Sequence, residues 1–147
     1  MTKLEREIHI CAAPDKVYDV LMDPDCLGEW VTIQEAIEEA PRGDLEKGSE
    51  LVQRVRVAGK KFHLRWKVSA AERGKRAVWQ GRGPFGSKAT AVYSLAANDG
   101  GTDFSYSNEY HLPAGPVGRL AGRAIVAASG GEADRSLERL KRFIERK

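Results

Sequence analysis

From residue 33 to residue 112 the chain abandons the spacing of a helix and alternates like a strand, segment after segment. The candidate strands are 33–40, 50–58, 61–72, 76–83, 88–97 and 102–112. The pieces between them carry turn chemistry: Pro41-Arg42-Gly43-Asp44, Gly59-Lys60, Arg73-Gly74-Lys75, Pro84-Phe85-Gly86 and Asn98-Asp99-Gly100-Gly101. Connections this short join neighbouring strands as hairpins, so the sheet is predicted to be antiparallel. Pro113, Gly115 and Pro116 stop the last strand, and a helical stretch follows over 117–146. A sheet with one apolar face has to be covered, and only that last stretch is long enough to do it.

The residues before 33 supply the remaining parts. Leu4, Ile8 and Ile10 fall on one side of an alternating segment, with Glu5, Glu7 and His9 on the other, which predicts a half-buried strand over 4–11. Ala13-Pro14-Asp15 breaks it and opens a helix with Val17, Tyr18, Leu21 and Met22 at helical spacing. Asp23-Pro24-Asp25 ends that helix and starts a second short turn, Cys26-Leu27-Gly28-Glu29-Trp30. The class is therefore α+β: a curved, seven-stranded antiparallel sheet, two short helices after the first strand, and a long C-terminal helix. The 147 residues suit one domain spanning 1–147, without linker, repeat or low-complexity segment.

This order of residues resembles the START-like (SRPBCC) superfamily of polyketide cyclase/dehydrase and lipid-transport type. Ile8-His9-Ile10-Cys11-Ala12-Ala13-Pro14-Asp15-Lys16-Val17-Tyr18 is similar to that family's opening strand and its Ala-Pro-x-x-x-Val-aromatic helix start. Asp23-Pro24 followed by Leu27-Gly28-Glu29-Trp30 resembles its Asp-Pro…Trp segment, and Gly101-Thr102 and Leu137-Glu138-Arg139-Leu140-Lys141 are similar too. The resemblance covers nearly the whole chain. It implies a helix-grip fold with an apolar cavity between sheet and terminal helix. Members range over cyclases, lipid and hormone binders and co-chaperone domains, so the resemblance names no ligand.

Alternation assigns the sheet faces. Phe62, Leu64, Trp66 and Val68 share one side of their strand, and Leu51, Gln53, Val55 and Val57 share one side of the neighbour. Ala77 and Trp79 align, as do Ala89, Ala91, Tyr93 and Leu95, and then Phe104, Tyr106, Asn108 and Tyr110. The terminal helix has two unlike halves. Small residues, among them Ala121, Ala124, Ala127, Ala128, Gly130 and Gly131, dominate the first; Leu137, Leu140, Phe143 and Ile144 form a packing stripe in the second. Glycines inside a helix cost about 1 kcal/mol each relative to alanine, so stability alone does not select them. Three readings compete: space left for a ligand, space filled by Trp66, Trp79 or Tyr106, or a break at Gly130-Gly131. The candidate ligand-binding residues are Trp30, Gln53, Trp66, Trp79, Tyr93, Phe104, Tyr106, Asn108, Tyr110, Ala124, Ala128 and Gly131.

Catalytic patterns are weak. Glu35 sits between Ile33 and Ile37, so it either points inward, with Arg6 as a partner, or is turned to solvent by a one-residue slip of register. His9 and His63 fall on outward faces and His111 ends the last strand, none beside a nucleophile. Cys11 and Cys26 read as free buried thiols with no metal-ligand spacing. Gly81-x-Gly83-x-x-Gly86 has dinucleotide-fingerprint spacing but joins two strands, so it reads as a hairpin. Arg54, Arg56, Lys60, Lys61, Arg65 and Lys67 form a basic run on the outer face, within reach of Glu5, Glu7 and Glu50 if the strands are neighbours.

The net charge of +3, with both signs interspersed, argues against a nucleic-acid partner. No apolar run is long enough for an integral membrane segment, and the N-terminus lacks a signal-peptide core, so a cytoplasmic location is expected. The expected function is binding of a small hydrophobic molecule, such as a lipid, polyketide or isoprenoid, without cofactor or metal. A cyclase/dehydratase-type enzyme using the same cavity is the alternative, and a co-chaperone-like interaction module a weaker one. The resemblance implies an inward arginine with tyrosines in cyclases, and no inward arginine stands on the central strands here. A homodimer is compatible with the chain.

Overall fold

In a computed structural model of the chain, the backbone is described for residues 2–57, 59–83, 86–111 and 115–146; the side chains of 2, 57 and 116–129 are outside the described set. The first strand, β1 (Thr2–Ile10), leads to α1 (Pro14–Leu21), a 3-10 turn (Pro24–Cys26) and α2 (Leu27–Trp30). Six strands follow: β2 (Gln34–Glu39), β3 (Glu50–Val57), β4 (Lys60–Glu72), β5 (Arg76–Arg82), β6 (Lys88–Asn98) and β7 (Gly101–His111). The chain closes with α3 (Pro116–Glu145). Prolines at the first turns of α1, the 3-10 turn and α3 fix where each begins, because a missing N–H is harmless there.

All pairings are antiparallel, and the strand order is β1-β7-β6-β5-β4-β3-β2. From β2 to β7 each strand pairs with its sequence neighbour, as the short turns require. Only β1 and β2 are separated in space, at opposite edges, with α1 and α2 spanning the gap. That order corrects one expectation. Glu5 and Glu7 on β1 cannot answer the basic run on β3 and β4 from the far edge; Glu35 and Glu38 on β2 do so instead.

The helix α3 packs on β1 and α2. Its second half contributes Leu137, Leu140 and Ile144 to the buried core that also holds Ile10, Val17, Leu21 and Phe104. Each such side chain contributes roughly 1.5–3 kcal/mol relative to exposure. Polar clasps fix the helix in place. Lys141 Nζ donates to the His9 carbonyl at 2.8 Å, and the Cys11 N–H donates to the Glu145 carboxylate at 2.9 Å. Arg6 Nε donates to Asp134 at 2.7 Å. Near α2, the Thr32 N–H donates to Ser136 Oγ at 3.0 Å and the Thr32 hydroxyl donates to Glu132.

Gly130 and Gly131 do not break α3, which runs through them uninterrupted. Gly130 lets Arg6 pass: a Cβ there would stand 3.2 Å from the Arg6 guanidinium. The thiols also depart from expectation. Cys11 is exposed, one residue past the end of β1, while half-buried Cys26 hydrogen-bonds to Asp23 Oδ2 at 3.4 Å.

Candidate functional site

The inner face of the sheet is laid out in rows by the strand register. One row joins Arg6, Tyr106, Tyr93 and Ala77; the next joins Leu4, Asn108, Ala91, Trp79 and Val68; a third joins Tyr110, Ala89, Gly81, Trp66 and Leu51. Parity on β3 and β5 to β7, and on β4 as far as Val68, runs as alternation predicts; a bulge between Val68 and Ala70 then resets β4. An aromatic strip crosses the rows. Trp66 meets Trp79 edge-on at 6.3 Å, Trp79 meets Tyr93 at 6.0 Å, and Tyr93 meets Phe104 at 5.5 Å, Tyr106 at 6.0 Å and Trp30 at 6.4 Å. Such contacts are worth about 0.5–1.5 kcal/mol beyond the area they bury.

Gly81 permits the first of these contacts. A Cβ on it would lie 2.6 Å from the Trp66 ring, so the indole lies against bare backbone. This is the role of the first glycine in the Gly81-x-Gly83-x-x-Gly86 hairpin. It serves packing, and Gly83 similarly sits 3.2 Å, in Cβ terms, from Leu64.

The two ends of this face differ. Toward α1 and the second half of α3, Ile10, Phe104, Leu140 and Ile144 are completely buried. Toward the β5–β6 turn and the start of α3, Leu4, Phe62, Leu64, Trp66, Ala89 and Tyr110 are only half-buried, although they share the inner face. Amides flank the apolar groups there. Trp66 Nε1 donates to Gln53 Oε1 at 3.0 Å, and Gln53 Nε2 donates to Gln34 Oε1 at 2.7 Å. Asn108 Nδ2 donates to the Tyr106 hydroxyl at 3.0 Å, and Tyr106 is also hydrogen-bonded to Tyr110.

Burial pushes the Tyr93 and Tyr106 hydroxyls well above the ordinary phenol range, Tyr106 further because of Tyr110 beside it. Both stay protonated at neutral pH, able to donate a hydrogen bond and unable to act as a base. The carboxylates with shifted titration go the other way and stand off the aromatic strip. The Arg56 guanidinium holds Glu35 low, His9 holds Asp103 low, and Thr32 and Arg135 hold Glu132 low.

Glu35 faces out. Bulges between Gln34 and Ala36 and between Ile37 and Glu39 reset the alternation of β2, which sends Gln34 inward and Glu35 to Arg56 at 2.7 Å and Arg54 at 3.5 Å. The slipped-register reading holds, and Arg6 pairs with Asp134 instead. His9 and His63 point outward as predicted, each beside a carboxylate: Asp103 at 2.8 Å and Glu38 at 3.1 Å.

Of the candidate ligand-binding residues, Gln53, Trp66, Tyr106, Asn108 and Tyr110 come together on the inner face, with Trp79, Tyr93 and Trp30 behind them. Two are placed elsewhere. Phe104 is fully buried in the closed end as core, and Gly131 is exposed on the outer side of α3, near Arg135. The side chains of Ala124 and Ala128 lie outside the described residues. Phe62 and Leu64 belong to the open end and were legible by parity; Gln34 was hidden by the bulge. Two grooves open to solvent, one lined by Glu5, Arg6, Glu7, Ser105, Tyr106 and Ser107 on β1 and β7, the other between Tyr18, Leu45 and Arg73.

A family model described as polyketide cyclase / dehydrase and lipid transport matches residues 1–145. The chain belongs to this family. An uncharacterized protein of Mycobacterium tuberculosis is 25% identical over 147 residues, covering 99% of this chain and 98% of its own. The crystal structure of TTHA0849 from Thermus thermophilus superposes with a TM-score of 0.81 at 17% identity, covering 97% of each chain. The solution structure of the Aha1 dimer from Colwellia psychrerythraea gives 0.68 at 21% identity, covering 99% of this chain and 97% of that one. The fold is thus the helix-grip arrangement of the family, and family membership carries with it a general expectation of hydrophobic ligand binding. No helix among the described residues is long and apolar enough to cross a membrane.

Proposed function

We propose that this family member binds a small hydrophobic molecule, of lipid, polyketide or isoprenoid character, at the half-buried end of the inner sheet face. The observation that carries the reading is the partial exposure of Phe62, Leu64, Trp66 and Tyr110 on a face whose other end buries Ile10, Phe104, Leu140 and Ile144 completely. Apolar groups of that size left partly exposed gain roughly 25 cal/mol for each Å² a ligand removes from water. The small-residue sequence of α3 over 121–129 supports the same reading, because short side chains leave room beneath a helix.

The polar groups favour binding over catalysis. Tyr106, Asn108, Tyr110 and Gln53 can orient a ligand, whereas a cyclase or dehydratase also needs a group that accepts a proton near neutral pH. Among the described residues, the aromatic face has amides and high-pKa phenols in those positions.

Native mass spectrometry of the purified protein tests this. The expected result is a bound species of small-molecule mass that is released by collisional activation and recovered in an organic extract. A bare polypeptide mass, with no saturable uptake of 2-methylnaphthalene added as a probe, would overturn the reading.

A further inference from the structure

The middle row of the inner face contains a mismatch that apolar binding alone does not resolve. Trp79 on β5 and Asn108 on β7 project from the same face on either side of Ala91, and both are more than nine-tenths buried. Each leaves one strong hydrogen-bonding atom without a partner among the described residues: the Trp79 Nε1–H, a donor, and Asn108 Oδ1, an acceptor. The other end of the Asn108 amide is committed, since Nδ2 donates to Tyr106, which is itself tied to Tyr110. Trp30 Nε1, whose ring stands against Tyr93, is a further unpartnered donor among the described residues.

Buried polar atoms are paired in native proteins as a rule, so a donor and an acceptor left open in one row point to a missing group. Ala91 contributes only a methyl between them, while the strands that carry them stand about 10 Å apart, two strand spacings. A hydroxyl both accepts and donates. A ketone or ether could satisfy Trp79 alone, and a carboxylate would set its charge against Asn108 Oδ1. A pure hydrocarbon would leave both atoms orphaned.

We propose that Trp79 and Asn108 select a hydroxyl-bearing apolar ligand, the hydroxyl oxygen accepting from Trp79 Nε1–H and its hydrogen donating to Asn108 Oδ1. This rests on the ligand-binding reading above and adds to it the polar group that decides specificity. A site built to hydrogen-bond a hydroxyl rejects the analogue lacking it far more strongly than a plain apolar pocket distinguishes two shapes.

The probes are 2-naphthol and 2-methylnaphthalene, which have nearly the same size and differ by hydroxyl against methyl. Dissociation constants for both are measured by calorimetry on the wild-type chain, on Asn108→Leu and on Trp79→Phe. The expected result is about tenfold or greater preference for 2-naphthol in the wild type, falling to near unity in either variant. If Asn108→Leu fails to fold, Trp79→Phe carries the test, because it keeps an aromatic ring and removes the donor. Equal affinities in the wild type, or a preference both variants keep, would overturn the proposal and leave the apolar pocket standing; that outcome would assign the two atoms to a trapped water. Binding of neither probe would remove the pocket reading and this proposal together.

Discussion

One sheet face is built in two ways at its two ends. At the closed end, Ile10, Phe104, Leu140 and Ile144 have no solvent exposure, and α3 is locked there by the Lys141–His9 and Glu145–Cys11 hydrogen bonds. At the open end, Phe62, Leu64, Trp66 and Tyr110 occupy equivalent inward positions yet remain half-solvated, and Gln34, Gln53 and Asn108 stand among them. The helix sequence also has two unlike halves, small residues before Gly131 and the Leu137, Leu140, Ile144 stripe after it. On the proposed reading, stability and binding fall to different ends of one surface, and the open end can stay under-packed because the closed end holds the fold.

Truncation should break the two ends unequally. Phe104→Ala removes a fully buried ring and is expected to destabilise by about 3–5 kcal/mol, read as a lower denaturation midpoint with unchanged slope. Phe62→Ala, on the same face, is expected to cost less than about 2 kcal/mol because its ring is already partly in water. Equal losses at both positions would abolish the distinction.

Alkaline pH probes the strip between the ends. Tyr93 and Tyr106 titrate above the ordinary phenol value of 10 in the folded chain, because burial disfavours the phenolate. Their folded-state pKa is raised, so the stability they contribute is fully present below pH 10 and is lost as pH rises beyond it. Each contributes up to about 1.4 kcal/mol of loss per pH unit in that range. Phenolate absorbance should accordingly lag and then appear together with unfolding. Smooth ionisation of all four tyrosines near pH 10 in the folded state would contradict the burial of these two.

Most of this fold was legible in the sequence because its signals are local. Alternation over β3 to β7 and turn residues between them fix neighbours, and Leu137, Leu140 and Ile144 mark the packing half of α3. The family followed from motifs near Pro14, Trp30 and Gly101. What escaped the sequence depends on non-local geometry. The bulges of β2 turned Gln34 in and Glu35 out, and no periodicity announces a bulge. The edge position of β1 decided which carboxylates meet the basic run. Gly130, which in sequence suggests room for a ligand, admits Arg6 in the fold. The unpartnered atoms of Trp79 and Asn108 emerge only when both strands and their neighbours are in place.

On the proposed reading, ligand enters the open end and leaves the closed end untouched. Titrating isotopically labelled protein with 2-naphthol and following amide and indole N–H resonances tests it directly, since the three tryptophans all contribute to this inner core. The account predicts saturable shifts of the Trp66 and Trp79 indole signals and of the Phe62, Leu64 and Tyr110 amides, with Phe104, Leu140 and Ile144 unmoved. Shifts confined to the outer groove over Glu7, Ser105 and Ser107, or no saturable shift at all, would contradict it.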